Sequence, residues 1–298
     1  MKKATLSREK KSLLVGLGFL IPNFIGFLLF TLIPVGASLI LSFFNWDLIG
    51  VPKFAGLENF KTLATNDPLF WKVMGNTGLY TLMVVPGTLI MSLLLAMLVN
   101  QKIRGKIVFR FIYFLPVVTS TIAVSLVWNW MYNPDFGLIN SMLHVFGIPQ
   151  VNWLTDARTA LPSIAIVSIW SGAGNNMVLF LAGLQGIPTS LYEACELDGA
   201  NSVQKFFHVT LPMLTPTTFY VLVMSIIGSF QVFDLVYMMT GGGPNNATRT
   251  IVSYIYDNAF RFFKMGYASS MAWILFLIIF ALTYVQFRLQ NNWVQYYE

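Results

Sequence analysis

Three carboxylates, Glu193, Glu196 and Asp198, fall in one short stretch beside Cys195 and Gly199. Carboxylates so grouped serve either divalent-metal chemistry or polar contact with a partner. A metal-dependent enzyme embedded in a membrane needs paired aspartates, and no second aspartate follows Asp198 at short spacing. His144 and His208 stand far from each other with no cysteine or acidic cluster to complete a metal site. The single cysteine makes no intrachain disulfide. A phosphate-cradling GxxxxGK[ST] pattern is absent, and Gly241-Gly242-Gly243-Pro244 lacks the lysine that would follow. A second set of residues, Trp170, Asn175, Asn176, Ser225, Ser229 and Gln231, is neutral, polar or aromatic and lies in stretches without charge. Such groups suit a neutral sugar or polyol. An anion would meet no lysine or arginine there.

The elements that position these residues follow from composition. Of 298 residues 56% are hydrophobic and 10% charged, with a mean hydropathy of +0.67, whereas soluble domains carry about 25% charged residues. Six windows contain no charged residue, at 12–46, 73–101, 111–134, 159–192, 206–233 and 265–287. Each exceeds the roughly 20 residues that carry a helix across the hydrocarbon of a bilayer. Membrane barrels require strands that alternate polar and apolar residues, and Leu89 to Val99 and Ile274 to Leu282 are apolar on every face. The expectation is an all-α polytopic membrane protein with six transmembrane helices. The longest connections, 45–72, 133–160, 185–210 and 234–264, are too short to house a catalytic or nucleotide-binding domain.

The formal net charge of +6 is unevenly placed. With the amino terminus inside, eleven lysines and arginines fall on the inner side and seven on the outer, for net charges of +6 and zero. Both termini are therefore expected in the cytoplasm, and the basic balance needs no nucleic acid to explain it. The apolar run after the basic amino terminus extends to Trp46, longer than a leader core, which predicts a retained first helix kinked or interrupted near Pro22 and Pro34. In the outer loop at 133–160, Leu138, Met142, Val145 and Phe146 recur at helical spacing, which predicts a short amphipathic helix at the membrane interface.

In the acidic stretch, Ser190 with Glu193 three residues on predicts a capping box and a helix start. Gly199 should end that helix in a left-handed turn. Spacing puts Leu191, Ala194, Cys195 and Asp198 on one face, and a second helix should begin near Asn201. Exposed carboxylates beside small residues fit a cleft on a cytoplasmic protein better than an anionic leaflet. In span four, Gly172 and Gly174 beside Asn175 and Asn176 suggest a helix break. In span five, Ser225 and Ser229 share a face at i, i+4.

Glu193-Ala194-Cys195, Asp198-Gly199-Ala200, Phe206 and Leu211-Pro212 resemble the EAA loop, EAAxxDGAxxxxxFxxIxLP, of importer permeases in the ATP-binding-cassette (ABC) superfamily. Seven of its eight strongest positions match at the right spacing: Glu193, Ala194, Asp198, Gly199, Ala200, Phe206 and Pro212. Cys195 replaces the second alanine and Val209 the isoleucine. Arg104-Gly105-Lys106, Phe114-Leu115-Pro116, Asn133-Pro134, Thr240 to Pro244 and Gly266-Tyr267-Ala268 resemble the carbohydrate branch that includes the maltose permeases, here without extra amino-terminal spans or a large external insertion.

The resemblance implies a type I ABC importer permease (MetI-like) fold in a bacterial inner membrane. Residues 1–70 would hold the amino-terminal tail, first helix and outer loop, 71–288 the core permease with its coupling loop at 188–212, and 289–298 a cytoplasmic tail. It implies a second homologous permease, two cytoplasmic ATPases and an extracytoplasmic solute-binding protein. It also implies no cofactor in this chain, since ATP and magnesium would be used by the ATPases. Glu193 and Asp198 would contact or cap at an ATPase groove, Ala194 and Ala200 would permit close approach, and Gly199 would set the bend. Trp170 falls about where the maltose permeases place a cavity tryptophan. An ion-driven secondary transporter is disfavoured, because the spans lack buried ionisable residues.

Overall fold

The computed structural model describes residues 8–101 and 105–295. Lys2, Lys3, Lys102, Arg104 and Glu298, which enter the charge balance, lie outside the described residues.

Helix α1 (Arg8–Phe27) widens into a π turn at Leu28–Leu32 and continues as α2 (Ile33–Leu41). Where sequence predicts a kink or break, one apolar span runs unbroken from Val15 to Leu41. Pro34 has no N–H, and its ring crowds the carbonyl one turn back. The π turn, closed by Ile33 N–H donating to Leu28 O, takes up that mismatch. None of this span is buried within the chain, as suits a helix facing lipid or another subunit. A two-residue hairpin follows, β1 (Phe44–Asn45) antiparallel to β2 (Lys53–Phe54), and then α3 (Glu58–Thr65). The buried Asn59 amide donates to Ser42 O at 3.0 Å and Phe44 O at 3.1 Å. It thereby satisfies carbonyls that the end of α2 leaves open.

Among the described residues, those up to 66 together with 257–273 form one compact unit, and the remainder form another. Within the first, Gly266 passes so close to Phe44 that a Cβ would overlap its carbonyl oxygen.

The second unit begins with α4 (Pro68–Asn100), capped by Asp67, whose carboxylate accepts from Phe70 N–H at 3.0 Å. At 33 residues this helix is roughly 50 Å long, more than a bilayer's hydrocarbon requires. Helices α5 (Lys106–Val118) and α6 (Thr121–Met131) meet at 101°, and α7 (Leu138–Val145) lies in the next connection. Helix α8 (Ala160–Gln185) is continuous, so Gly172 and Gly174 do not break it. They pack it instead. A Cβ on Gly174 would overlap the Tyr113 carbonyl, and one on Gly183 would press on Thr217, the close approach that small residues permit between membrane helices.

After α9 (Thr189–Leu197) and α10 (Ser202–Lys205), the helical path runs through a π turn (Phe206–Thr210) and α11 (Leu211–Met213). It then bends by 65° into α12 (Thr215–Phe230). Pro216 cannot donate to the Pro212 carbonyl one turn back. The Thr215 hydroxyl does so at 2.7 Å, so the bend leaves that acceptor satisfied. Helices α13 (Asp234–Thr240) and α14 (Ile251–Tyr256) follow, then a π turn (Asp257–Arg261) and α15 (Met265–Gln290).

Among the described residues, four helices are long and apolar enough to cross a membrane as they stand, and six crossings result if each bent pair counts as one. The windows at 111–134 and 206–233 are thus bent elements. Helix α4 packs along α8, with α12 and α5 beside them. One core cluster gathers Val99, Met177, Phe180, Leu214 and Val221, and another gathers Tyr80, Val124, Ile164, Val167 and Val236.

Candidate functional site

The acidic stretch folds into an elbow. Helix α9 starts at Thr189 behind Pro188, so Ser190 is already inside the first turn and makes no capping bond; the box predicted for Ser190 and Glu193 does not form. The capping box sits on the next helix instead. Asn201 accepts from Gln204 N–H at 2.9 Å, and Gln204 accepts from Asn201 N–H at 2.8 Å. Between them Gly199 has a φ of +77°. Ala200 N–H donates to Cys195 O and Gly199 N–H to Glu196 O, the paired bonds of a Schellman ending.

Of the four residues that spacing puts on one face of α9, only Cys195 turns inward. Tyr192 and Cys195, three residues apart, are half-buried and pack on the cluster around Phe180, and the Tyr192 hydroxyl lies 2.9 Å from that of Thr210. Leu191, Ala194 and Asp198 are exposed. Glu193 is exposed, Leu197 is 90% exposed, and Glu196 pairs with Lys205 at 2.6 Å. Among the motif residues of the second limb, Phe206 and Pro212 are half-buried.

The other candidate residues divide among separate places. Asn176 Nδ2 donates to Ser225 Oγ at 3.5 Å, tying α8 to α12, while Asn175 is exposed. Ser229 is buried and bonds Ile226 O, so it does not share an open face with Ser225. Trp170, 40% exposed, stands edge-on to Trp128 at 5.5 Å. Both line an apolar cavity of about 330 Å³ in the angle between α5 and α6, walled by Tyr113, Pro116 and Val127. Gln231 lines a polar cavity of about 260 Å³ with Thr121, Ser168, Ser171 and Asp234.

Ser168, Ser171 and Thr121 stand out by no sequence signal. Asp234 is exposed and lines the same cavity as Gln231. Periodicity carries no signal for this, because the cavity exists only where α6 turns away from the straight course of its window and α13 starts beyond the end of span five. The loop helix at Leu138–Val145 does form, and Leu138, Met142, Val145 and Phe146 are all exposed. It is fixed by the buried Asn140, whose amide donates to Pro134 O and Val151 O and accepts from Trp153 Nε1. Among the described residues no group of three or more His, Cys, Asp or Glu side chains is placed to hold a metal ion.

Residues 80–295 match the family model described as a binding-protein-dependent transport system inner membrane component. The chain is 40% identical, over 99% of its length and 96% of the relative's, to the probable ABC transporter permease protein YesP of Bacillus subtilis. It is 39% identical to the lactose transport system permease protein LacF of Rhizobium radiobacter, covering 87% of this chain and 88% of that one. It is 36% identical to the sulfoquinovosyl glycerol transport system permease protein SmoG of Agrobacterium fabrum, covering 86% and 83%. Its fold is similar to that of a chain in the crystal structure of a bacterial alginate ABC transporter with an alginate pentasaccharide-bound periplasmic protein. There the TM-score is 0.84 at 22% identity, over 96% of this chain and 97% of that one.

Proposed function

This chain belongs to the family of binding-protein-dependent transport system inner membrane components and is a permease subunit of an ABC importer rather than an enzyme; from that premise we propose that it carries a neutral sugar or polyol and is driven through its acidic elbow. The chain forms half of the path, beside a second homologous permease. Two cytoplasmic ATPases use ATP and magnesium, and an extracytoplasmic solute-binding protein delivers the substrate. The chain lies in a bacterial inner membrane with both termini in the cytoplasm. Residues 71–288 act as the permease core, with 1–70 before them and a tail at 289–298.

The observation that carries the reading is the elbow at 188–212. Its backbone ends are closed locally by the Schellman bonds and the Asn201 box, while Glu193, Ala194, Leu197 and Asp198 face outward. A bend whose backbone groups are satisfied, with an apolar and acidic outer face, is ready to enter a groove without refolding. Glu193 and Asp198 offer carboxylates to donors on the ATPase, Ala194 and Ala200 let the backbones approach, and Gly199 fixes the angle between the limbs. When ATP closes the paired ATPases, the elbows move with them and the bent spans follow. A loaded binding protein outside favours the same state by binding it more tightly.

Support for a neutral cargo comes from the absence of Lys and Arg around Trp170 and Gln231, and from Asp234, which would repel an anion. A relative named for lactose transport puts a neutral carbohydrate in view. The test is Gly199→Asp and Glu193→Lys in the assembled importer. Both should abolish uptake, and Glu193→Lys should also lower the amount of ATPase that co-purifies. Normal uptake with normal co-purification in both variants removes the coupling role.

A further inference from the structure

One carboxylate of the second unit stands open beside a cavity. Asp234, the first residue of α13, is exposed and lines the open-sided polar cavity of about 260 Å³. It forms no hydrogen bond or ion pair with another described residue, and no lysine or arginine lines the cavity with it. Thr119, Thr121 and Gln231 line the same space and are exposed as well, so each of these polar side chains can be reached. The Thr119 hydroxyl donates to Leu115 O at 2.9 Å and keeps its own lone pairs for a further donor.

In water a free carboxylate is hydrated; in a passage closed off from water it needs donors. A neutral sugar brings them as hydroxyls, and the two oxygens of one carboxylate can accept from two neighbouring hydroxyls at once. Such charge-assisted bonds are roughly twice as strong as neutral ones. The C–H face of a sugar ring also finds a counterpart. Phe233 lines the cavity and is held by Tyr237 at 5.2 Å and Tyr256 at 5.0 Å. Pro116, Thr119 and Val124 line both this cavity and the apolar one of Trp170, so the two adjoin. The polar cavity falls just under the roughly 300–1,000 Å³ of drug-sized sites, which suits a single ring, and a second ring would come to lie beside Trp170. An anionic cargo meets repulsion from Asp234.

We propose that Asp234 is a specificity-determining residue of the transport path: its carboxylate accepts hydroxyls from one ring of a neutral saccharide held in the polar cavity. The proposal rests on the sugar-import reading above and adds to it the group that selects hydroxyl-rich neutral cargo.

The experiment uses the assembled importer in proteoliposomes, with glucose, lactose and maltotriose as probes. Thr121→Cys reports occupancy of the cavity through its rate of labelling by a polar thiol reagent, with Cys195, the chain's single cysteine, as background. During turnover an imported saccharide should slow that labelling about fivefold. Asp234→Asn keeps the size of the side chain and removes its charge; it should cut the protection and slow uptake, each about fivefold, and Asp234→Leu should abolish protection. The unfolding midpoint in detergent is read alongside, because an acid in the first turn also steadies a helix start. Protection that survives intact in Asp234→Asn overturns the proposal, and if the midpoint falls at the same time Asp234 is a prop for α13. Import of an amino acid or a metal cation in place of all three saccharides breaks the underlying sugar reading, whatever the substitution does.

Discussion

The elbow and the cavities treat their polar groups in opposite ways. At the elbow the two helix ends that meet at Gly199 are closed by their neighbours in sequence: Gly199 and Ala200 donate back to Glu196 and Cys195, Asn201 and Gln204 cap each other, and Lys205 holds Glu196. In the cavity of Gln231 and Asp234 both residues are exposed, so hydrogen-bonding capacity is left over. Between α8 and α12, Asn176 reaches Ser225 only at 3.5 Å. A surface meant to transmit force to another protein gains from being finished in advance, because ordering it on contact would cost binding energy. A passage gains from groups that are unfinished until cargo arrives, and then release it again.

That contrast predicts a graded series of effects. The largest belongs to neither region but to the scaffold between them. Gly174→Val would drive a side chain into the Tyr113 carbonyl, and overpacking of this kind costs about 3 kcal/mol. A lowered unfolding midpoint in detergent is the measurement, and an unchanged midpoint means that α5 and α8 are not held at that crossing. Gly199→Val comes next. No atom lies within 4 Å of the added Cβ, so its cost is conformational alone, about 1–2 kcal/mol for the left-handed backbone. Uptake should fall while folding yield holds, and Gly199→Asn should recover much of the loss because asparagine tolerates that conformation. If asparagine fares no better than valine, the elbow needs the missing side chain and not the angle.

On the cavity side, Trp170→Ala removes one ring of an edge-on pair, about 1 kcal/mol. Sugar uptake should slow roughly fivefold with the complex still intact; unchanged uptake kinetics take Trp170 off the path. Smallest is Lys205→Ala. Glu196 is 65% exposed in its side chain, and such a pair contributes about 0.5 kcal/mol, so ATP hydrolysis coupled to transport should change little. A large loss would mean that the ion pair sets the elbow and that its backbone closure is secondary.

These two regions also differ in how far sequence alone reveals them. The elbow is local: a glycine with positive φ, an asparagine three residues before a glutamine, and a proline at the start of a helix act within a few residues of themselves. Its existence and its hinge are therefore readable. Its inward face is not readable, because a helix of nine residues leaves several stripes open and only the packing of Tyr192 and Cys195 on the cluster around Phe180 selects among them. The charge-free windows likewise give the number of crossings if each bent pair counts as one. They do not give the 101° angle between α5 and α6, since Pro116 and the extended Thr119 permit a turn without requiring one. The cavity that holds Gln231 and Asp234 is lined by Pro116 and Thr119 and depends on that turn. Nothing periodic marks it.

The 65° bend at Leu214 has a mechanical meaning of its own. Leu214 is wholly enclosed, Thr215 keeps the neighbouring carbonyl satisfied, and Gln295 N–H bonds the same threonine at 3.0 Å, so the corner is braced on more than one side. A braced corner behaves as a bell crank. If a partner drives the elbow as proposed, thrust along residues 202–213 would leave along α12 in a rotated direction, and a short stroke would become a sideways sweep of the wall that carries Ser225.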